Sequence, residues 1–303
     1  MNAATRPIPS KPSLVRTEDV QANSAGEDRS IGDIIRQIKN LTDAQVQEVI
    51  DFQRTHGVRF GEAAVSLGLA TDADIVFALS QQFHYPYAPE SRRTLSPELV
   101  VANQPFSKQA EAFRAVRSQL MMRAFSPNEP KRALAVVSPN RGDGKTFFAA
   151  NLGIVMSQLG GRTLVVDADM RSPRMHQMFG LPNSSGLSGI LSGRQEDNVI
   201  FQAPDLPSLF IMPVGVTPPN PLELIERAAF RLLMGELLRK FDHVIVDSPA
   251  IETGMDATVI AAKCGAGLIL ARKDYGPLAT LQSLVKNLTE SRTQVAGVVL
   301  NEY

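Results

Sequence analysis

The chain has 303 residues, 44% of them hydrophobic, and Lys plus Arg equals Asp plus Glu at 31 each. That is enough apolar material for one large core or two modest ones, and the balanced charge exerts no global pull toward nucleic acid or an anionic membrane. One cysteine, Cys264, excludes an internal disulfide.

In chain order, residues 1–29 are rich in Pro, Ser, Asn and charge, lack apolar periodicity, and read as a disordered lead. The opening "MNAATRPIPSKPSLVR" has no apolar h-region of a signal peptide. No window approaches the roughly 18 apolar residues of a membrane helix. We therefore expect a cytoplasmic protein whose membrane association, if any, comes through a partner.

Residues 30–88 read as a helical domain built on an internal repeat. "SIGDIIRQIKNLTDAQVQEVIDFQ" (30–53) aligns with "RFGEAAVSLGLATDADIVFALSQQ" (59–82), each 24 residues long. Each unit reads as helix, turn, helix. The second helix is capped by Thr42 or Thr71, with Asp43 or Asp72 in its first turn. Residues 89–105, "PESRRTLSPELVVANQP", read as a linker.

From residue 106 to 303, short apolar runs alternate with helical stretches. "ALAVVS", "TLVVDA", "LFIMPV", "HVIVDS", "AGLILAR" and "VAGVVLN" are unalternating and rich in Val, Ile and Leu. Such strands are buried on both faces, which predicts an α/β domain with a mostly parallel sheet covered by helices.

The first strand runs into "SPNRGDGKT" and then a helix. At such a junction backbone N–H groups converge and the helix dipole favours an anion. Gly142 and Gly144 let the backbone curl around phosphate, Lys145 would reach the β- and γ-phosphates, and the Thr146 hydroxyl would ligate Mg²⁺. The strict phosphate-loop pattern asks for Gly at 139, where this chain has Pro139. "LVVDADMR" brings Asp167 and Asp169, and "VIVDSP" brings Asp247, to the carboxyl ends of two further strands. Ligands of open α/β sheets bind at that edge. Mg²⁺ takes one or two carboxylates plus phosphate oxygens, so the third carboxylate could accept a proton or position a water. His56, His84, His176 and His243 show no metal-ligand spacing.

These motifs resemble those of the bacterial tyrosine kinases of capsule and exopolysaccharide synthesis, which are P-loop proteins related to the partitioning ATPases. The likeness covers 106–303 and includes "SPNRGDGKT", "LVVDADMR", "VIVDSP", "PPNPLELI" (218–225) and the E-x-x-R-x-x-R pattern "EAFRAVR" (111–117). The resemblance implies a P-loop NTPase fold and transfer of phosphate from ATP to protein tyrosine. It implies a nucleotide cradle of Gly142, Asp143, Gly144, Lys145, Thr146 and Phe147. Lys145 and Asp167 would be catalytic, Asp167 taking the tyrosine proton, while Thr146, Asp169 and Asp247 would hold Mg²⁺. It further implies a membrane chain-length determinant partner, and self-association through Glu111, Arg114 and Arg117. Arg141 stands where the family usually has proline, and Asp143 where it has glutamate. A partitioning ATPase would carry a second lysine at position 140, which is Asn140 here. The family's tyrosine-rich tail has no counterpart in "NEY", which leaves open an ATPase switch without kinase activity. The tyrosines are Tyr85, Tyr87, Tyr275 and Tyr303.

The repeat resembles the cyclic-di-GMP-binding N-terminal domains of type II secretion and type IV pilus ATPases, with "RTHGV" as a five-residue spacer between the two motifs. The second unit matches with Arg59, Phe60, Gly61, Gly68 and Gln82; the first has Ser30 in place of arginine and Lys39 in place of glycine. A helical docking domain is the expected reading, with cyclic-di-GMP as the ligand the resemblance would imply.

Overall fold

A computed structural model describes residues 30–82, 95–126, 129–194 and 196–302. The expected disordered lead and the residues Tyr85, Tyr87 and Tyr303 lie outside the described residues. The chain divides into two compact units, one up to residue 84 and one from residue 85.

Among the described residues the first unit has four helices: α1 (Ile31–Lys39), α2 (Asp43–His56), α3 (Phe60–Ser66) and α4 (Asp72–Gln82). The repeat is visible in how they start. Ser30, Thr42 and Thr71 each accept a hydrogen bond from the backbone N–H three residues on. In return the side chains of Asp33, Gln45 and Asp74 accept from the N–H of the capping residue. This reciprocal box satisfies two backbone donors that a helix start leaves without partners. Ile34, Ile35, Val49, Ala63, Ala64 and Ala78 are among the residues of the unit's own small core. Lys39 reaches Asp74 at 2.9 Å and ties one repeat to the other.

The second unit carries a seven-stranded sheet. Its strands are β1 (Ala133–Val137), β2 (Thr163–Asp167), β3 (Phe201–Gln202), β4 (Leu209–Met212), β5 (His243–Asp247), β6 (Gly265–Arg272) and β7 (Gln294–Asn301). The order is β3-β4-β2-β5-β1-β6-β7, all neighbours parallel except the β3–β4 edge pair. Leu134 and Val136 belong to one hydrophobic cluster, while Ala133, Ala135 and Val137 belong to the other. Both faces of β1 are therefore buried, which is why its sequence does not alternate. Packing with the first cluster are α5 (Val100–Asn103), α6 (Lys108–Arg123) and α7 (Lys145–Ser157). Packing with the second are α10 (Pro221–Glu226), α11 (Ala228–Lys240), α12 (Asp256–Cys264) and α13 (Leu278–Glu290). Two short helices, α8 (Met175–Met178) and α9 (Leu187–Leu191), follow β2.

Residues 95–105, expected as linker, are instead part of this unit. Leu99 and Val101 are fully buried in the first cluster. Asn151 of α7 accepts from the Val101 N–H at 3.0 Å and donates to the Glu98 carbonyl at 2.9 Å. The prolines and charges around "LVVA" hid an apolar segment that α7 needs as its outer cover.

Candidate functional site

The phosphate loop joins β1 to α7. Gly144 is the helix cap with φ of 95°, and Gly142 has φ of 81°. Both lie in the left-handed region, which a Cβ disfavours. No side chain caps α7, so its first-turn N–H groups, which have no acceptor within the helix, are available to an anion. The loop is braced from inside and outside. Asp143 is fully buried and its Oδ2 accepts from the Asn140 N–H at 2.9 Å. The short 3₁₀ turn Ile251–Thr253, just after β5, pins the outer wall. The N–H of Ile251 donates to the Ser138 carbonyl and that of Glu252 to the Pro139 carbonyl. Arg141 donates its own N–H to Glu252 Oε1 at 2.7 Å. Pro139 thus sits in a stretch held by its carbonyl, a role that does not need the glycine of the strict pattern.

Lys145 is almost completely buried at the base of the loop, and its Nζ donates to Ser138 Oγ at 3.0 Å. Thr146 and Phe147 line the cleft above. The Phe147 ring lies 6.0 Å from that of Phe113 on α6.

The strand ends beside this loop carry the carboxylates. Asp167 of β2 and Asp247 of β5 are direct partners across the parallel ladder, and both are fully buried. Burial, the Asp247 charge and the Asp169 charge hold Asp167 well above the usual carboxylate range, against the N–H groups of Met175 and Asp169 that it accepts. Asp247 is pushed up to about 7, chiefly by burial; the Thr146 hydroxyl and the Lys145 ammonium pull the other way. Although Thr146 lies close enough to have that effect, neither oxygen of Asp247 has a donor at full hydrogen-bond geometry. Two adjacent carboxylates cannot both ionise in a dry site without a cation. A hard divalent cation beside Asp247 and Thr146 would meet that need. Among the described residues no three His, Cys, Asp or Glu side chains converge as a metal cage.

Of the three strand-end aspartates, Asp169 reaches the cleft wall. Its Oδ1 accepts from the N–H groups of Arg171 and Ser172, closing a tight turn. The cleft encloses about 770 Å³. Arg141, Arg171 and Arg174 stand on its rim. Arg171 is fixed by the fully buried Asp256 at 2.9 Å, Arg174 pairs with Glu98, and the Arg141 guanidinium donates to Ser172 Oγ at 3.1 Å. With Lys145 they set four cations against the Glu98 and Asp169 carboxylates in the cleft lining, which leaves the mouth net positive.

The loop residues and all three aspartates therefore meet at one edge. Asp143 is the exception among the cradle residues: its side chain shapes the loop from within. Asp167 lies beneath the cleft, both oxygens engaged by backbone. Sequence reasoning missed Asn301, Arg171, Arg174 and Asp256. Asn301 ends β7, its Nδ2 donates to the Asp143 carbonyl at 3.0 Å, and it lines the cleft. The rule that strand ends carry ligands could have found it.

The helix pattern 111–117 is only partly presented outward. Glu111 is exposed and pairs with Arg114 at 2.9 Å, but Arg114 is mostly covered and also donates to the Pro105 carbonyl. Arg117 donates to the Val155 carbonyl of α7 at 2.9 Å. Both arginines brace their own unit.

A glycine-shaped loop at a helix start, a buried lysine and strand-end aspartates at one sheet edge define a P-loop nucleotide-binding domain. The model of the CobQ/CobB/MinD/ParA nucleotide binding domain matches residues 134–303, more than half the chain. The chain is 33% identical over 213 residues to the putative tyrosine-protein kinase CapB of Staphylococcus aureus, covering 70% of this chain and 92% of that one. It is 31% identical to the tyrosine-protein kinase wzc of Salmonella typhimurium, but spans only 29% of that longer protein. The kinase domain of the Escherichia coli tyrosine kinase ETK superposes with a TM-score of 0.65 at 31% identity, covering 69% of this chain and 81% of that one. The chain belongs to the bacterial tyrosine-kinase family within this nucleotide-binding fold. The family model begins at 134, so the four-helix unit lies outside it. Among the described residues, no helix is long and apolar enough to cross a membrane.

Proposed function

We propose that this chain is an ATP-dependent protein-tyrosine autokinase that regulates polysaccharide polymerisation and export beside a membrane chain-length determinant protein, at the cytoplasmic face of the membrane. One observation supports the catalytic reading: the phosphate loop and Asp169 line one cleft, and the buried Asp167–Asp247 pair sits at the strand ends beside that loop. In this reading the first-turn N–H groups of α7 and the arginine rim bind the triphosphate. Lys145 leaves Ser138 for the β- and γ-phosphates. Asp247 and Thr146, with Asp169, hold Mg²⁺, which when bound offsets the charge that builds on the phosphate oxygens during transfer. Asp167 takes the phenolic proton, a role that suits its raised proton affinity and requires the 168–174 turn to move aside. Self-association through helix α6 would present Glu111, since Arg114 and Arg117 are engaged within the chain.

For the helical unit we propose docking, with no nucleotide ligand. Ser30 stands where the cyclic-di-GMP motif calls for arginine, and its hydroxyl is engaged with Asp33 at 2.6 Å as a helix cap.

The test is total phosphotyrosine after incubation with Mg²⁺ and ATP, with Lys145→Ala as the blank. Phosphotyrosine in the wild type and its loss in the blank is the expected result. ATP hydrolysis without any phosphotyrosine would replace the kinase by an ATPase switch.

A further inference from the structure

Tyr275 lies on the turn between β6 and α13. The turn is shaped by two left-handed residues, Asp274 at φ 55° and Gly276 at φ 83°. Lys273 anchors its base by donating its N–H to the Asn301 carbonyl at 2.8 Å. The turn leaves the carboxyl edge of the sheet, the edge that carries the nucleotide cleft. It also touches the phosphate loop: a Cβ on Gly276 would lie 2.8 Å from Asn140 Nδ2.

The Tyr275 side chain is open to solvent. It is 51% exposed, and the Arg272 guanidinium lies 5.3 Å from its ring. Among the described residues its hydroxyl has no hydrogen-bond partner. It does not line the cleft of its own chain. A phenol that is exposed and seated beside the phosphate loop, yet outside the cleft of its own chain, is placed to receive phosphate from another copy.

We infer that Tyr275 is a phosphoacceptor served in trans by a second copy of this chain, an inference that rests on the kinase reading above. The Tyr275 phenolic oxygen bonds to the γ-phosphorus of ATP held by the other copy. The bond from that phosphorus to the bridging oxygen breaks, ADP leaves with the electron pair, and the phenolic proton passes to Asp167 of the donor copy. The product phosphate stands beside Arg272, a charge-assisted partner already in place.

The experiment mixes two full-length chains with Mg²⁺ and ATP and maps phosphosites by mass spectrometry. A Lys145→Ala chain is the acceptor and a Tyr275→Phe chain the donor. Phosphate on Tyr275 of the acceptor, forming faster as donor concentration rises, is the expected result. Asp167→Asn takes the acceptor role if circular dichroism shows that Lys145→Ala is unfolded. Phosphate on Tyr85, Tyr87 or Tyr303 with Tyr275 bare would overturn the inference and leave the kinase standing. Phosphate on Tyr275 of the wild type, with none transferred in the mixture, would overturn the trans geometry. Hydrolysis of ATP with no phosphotyrosine on any chain would overturn the inference together with the kinase.

Discussion

Replacing Asp247 by asparagine tests the electrostatic core of the site. In the folded chain the Asp247 carboxyl is raised from 3.8 to about 7. A raised carboxyl stabilises the fold most below its unfolded value and loses that contribution as pH climbs through its folded value. Each pH unit in that window is worth about 1.4 kcal/mol. Between pH 5 and pH 8, metal-free wild type should therefore lose about 3 kcal/mol from this group. The asparagine amide of Asp247→Asn cannot ionise, so the variant should lose about 3 kcal/mol less than wild type over the same interval, while Asp167 keeps the part of its raised proton affinity that burial imposes. The assay is urea denaturation at both pH values in EDTA, followed by circular dichroism because the chain has no tryptophan. Adding Mg²⁺ and nucleotide should restore wild-type stability at pH 8 and do little for the variant. Equal pH slopes in wild type and variant would refute the paired-carboxylate account.

Two structural predictions accompany it. In Gly153→Ala the new Cβ would lie 2.3 Å from Val165 Cγ2, where α7 crosses β2; overpacking of this kind costs about 1–3 kcal/mol, read as a lowered denaturation midpoint. Thr71→Ala removes the side-chain half of the α4 capping box, leaving the backbone N–H of residue 71 to donate to Asp74, and should cost the four-helix unit about 1 kcal/mol. Faster amide exchange in α4, with α7 unchanged, is the expected signature.

Much of this was legible in the sequence for identifiable reasons. Apolar runs such as "TLVVD" and "HVIVD" are buried on both faces, so their strand character survives without context. Where they end, the sheet edge begins, and that placed Asp167, Asp169 and Asp247 together before any coordinates. The Thr-Asp pairs Thr42-Asp43 and Thr71-Asp72 likewise announced the two helix starts. The antiparallel β3 was missed because two residues carry no period. Residues 95–105 were misread because the prolines outweighed the four apolar letters that cover α7. Arg171 with Asp256, Arg141 with Glu252, and Asn301 with the Asp143 carbonyl join residues 85, 111 and 158 positions apart. No local pattern encodes such pairs. They follow only once the strand order is known.

That strand order has a consequence for synthesis. β1 is flanked in the sheet by β5 and β6, so the strand that carries the phosphate loop emerges long before either neighbour exists. A nascent chain that has passed Thr146 but not Asp247 holds half a cleft and an apolar strand with both edges open. Contacts so distant in sequence form late and slowly. Nucleotide is therefore a ligand of the finished domain alone, and chains cut before β5 should be captured by chaperones and bind no ATP.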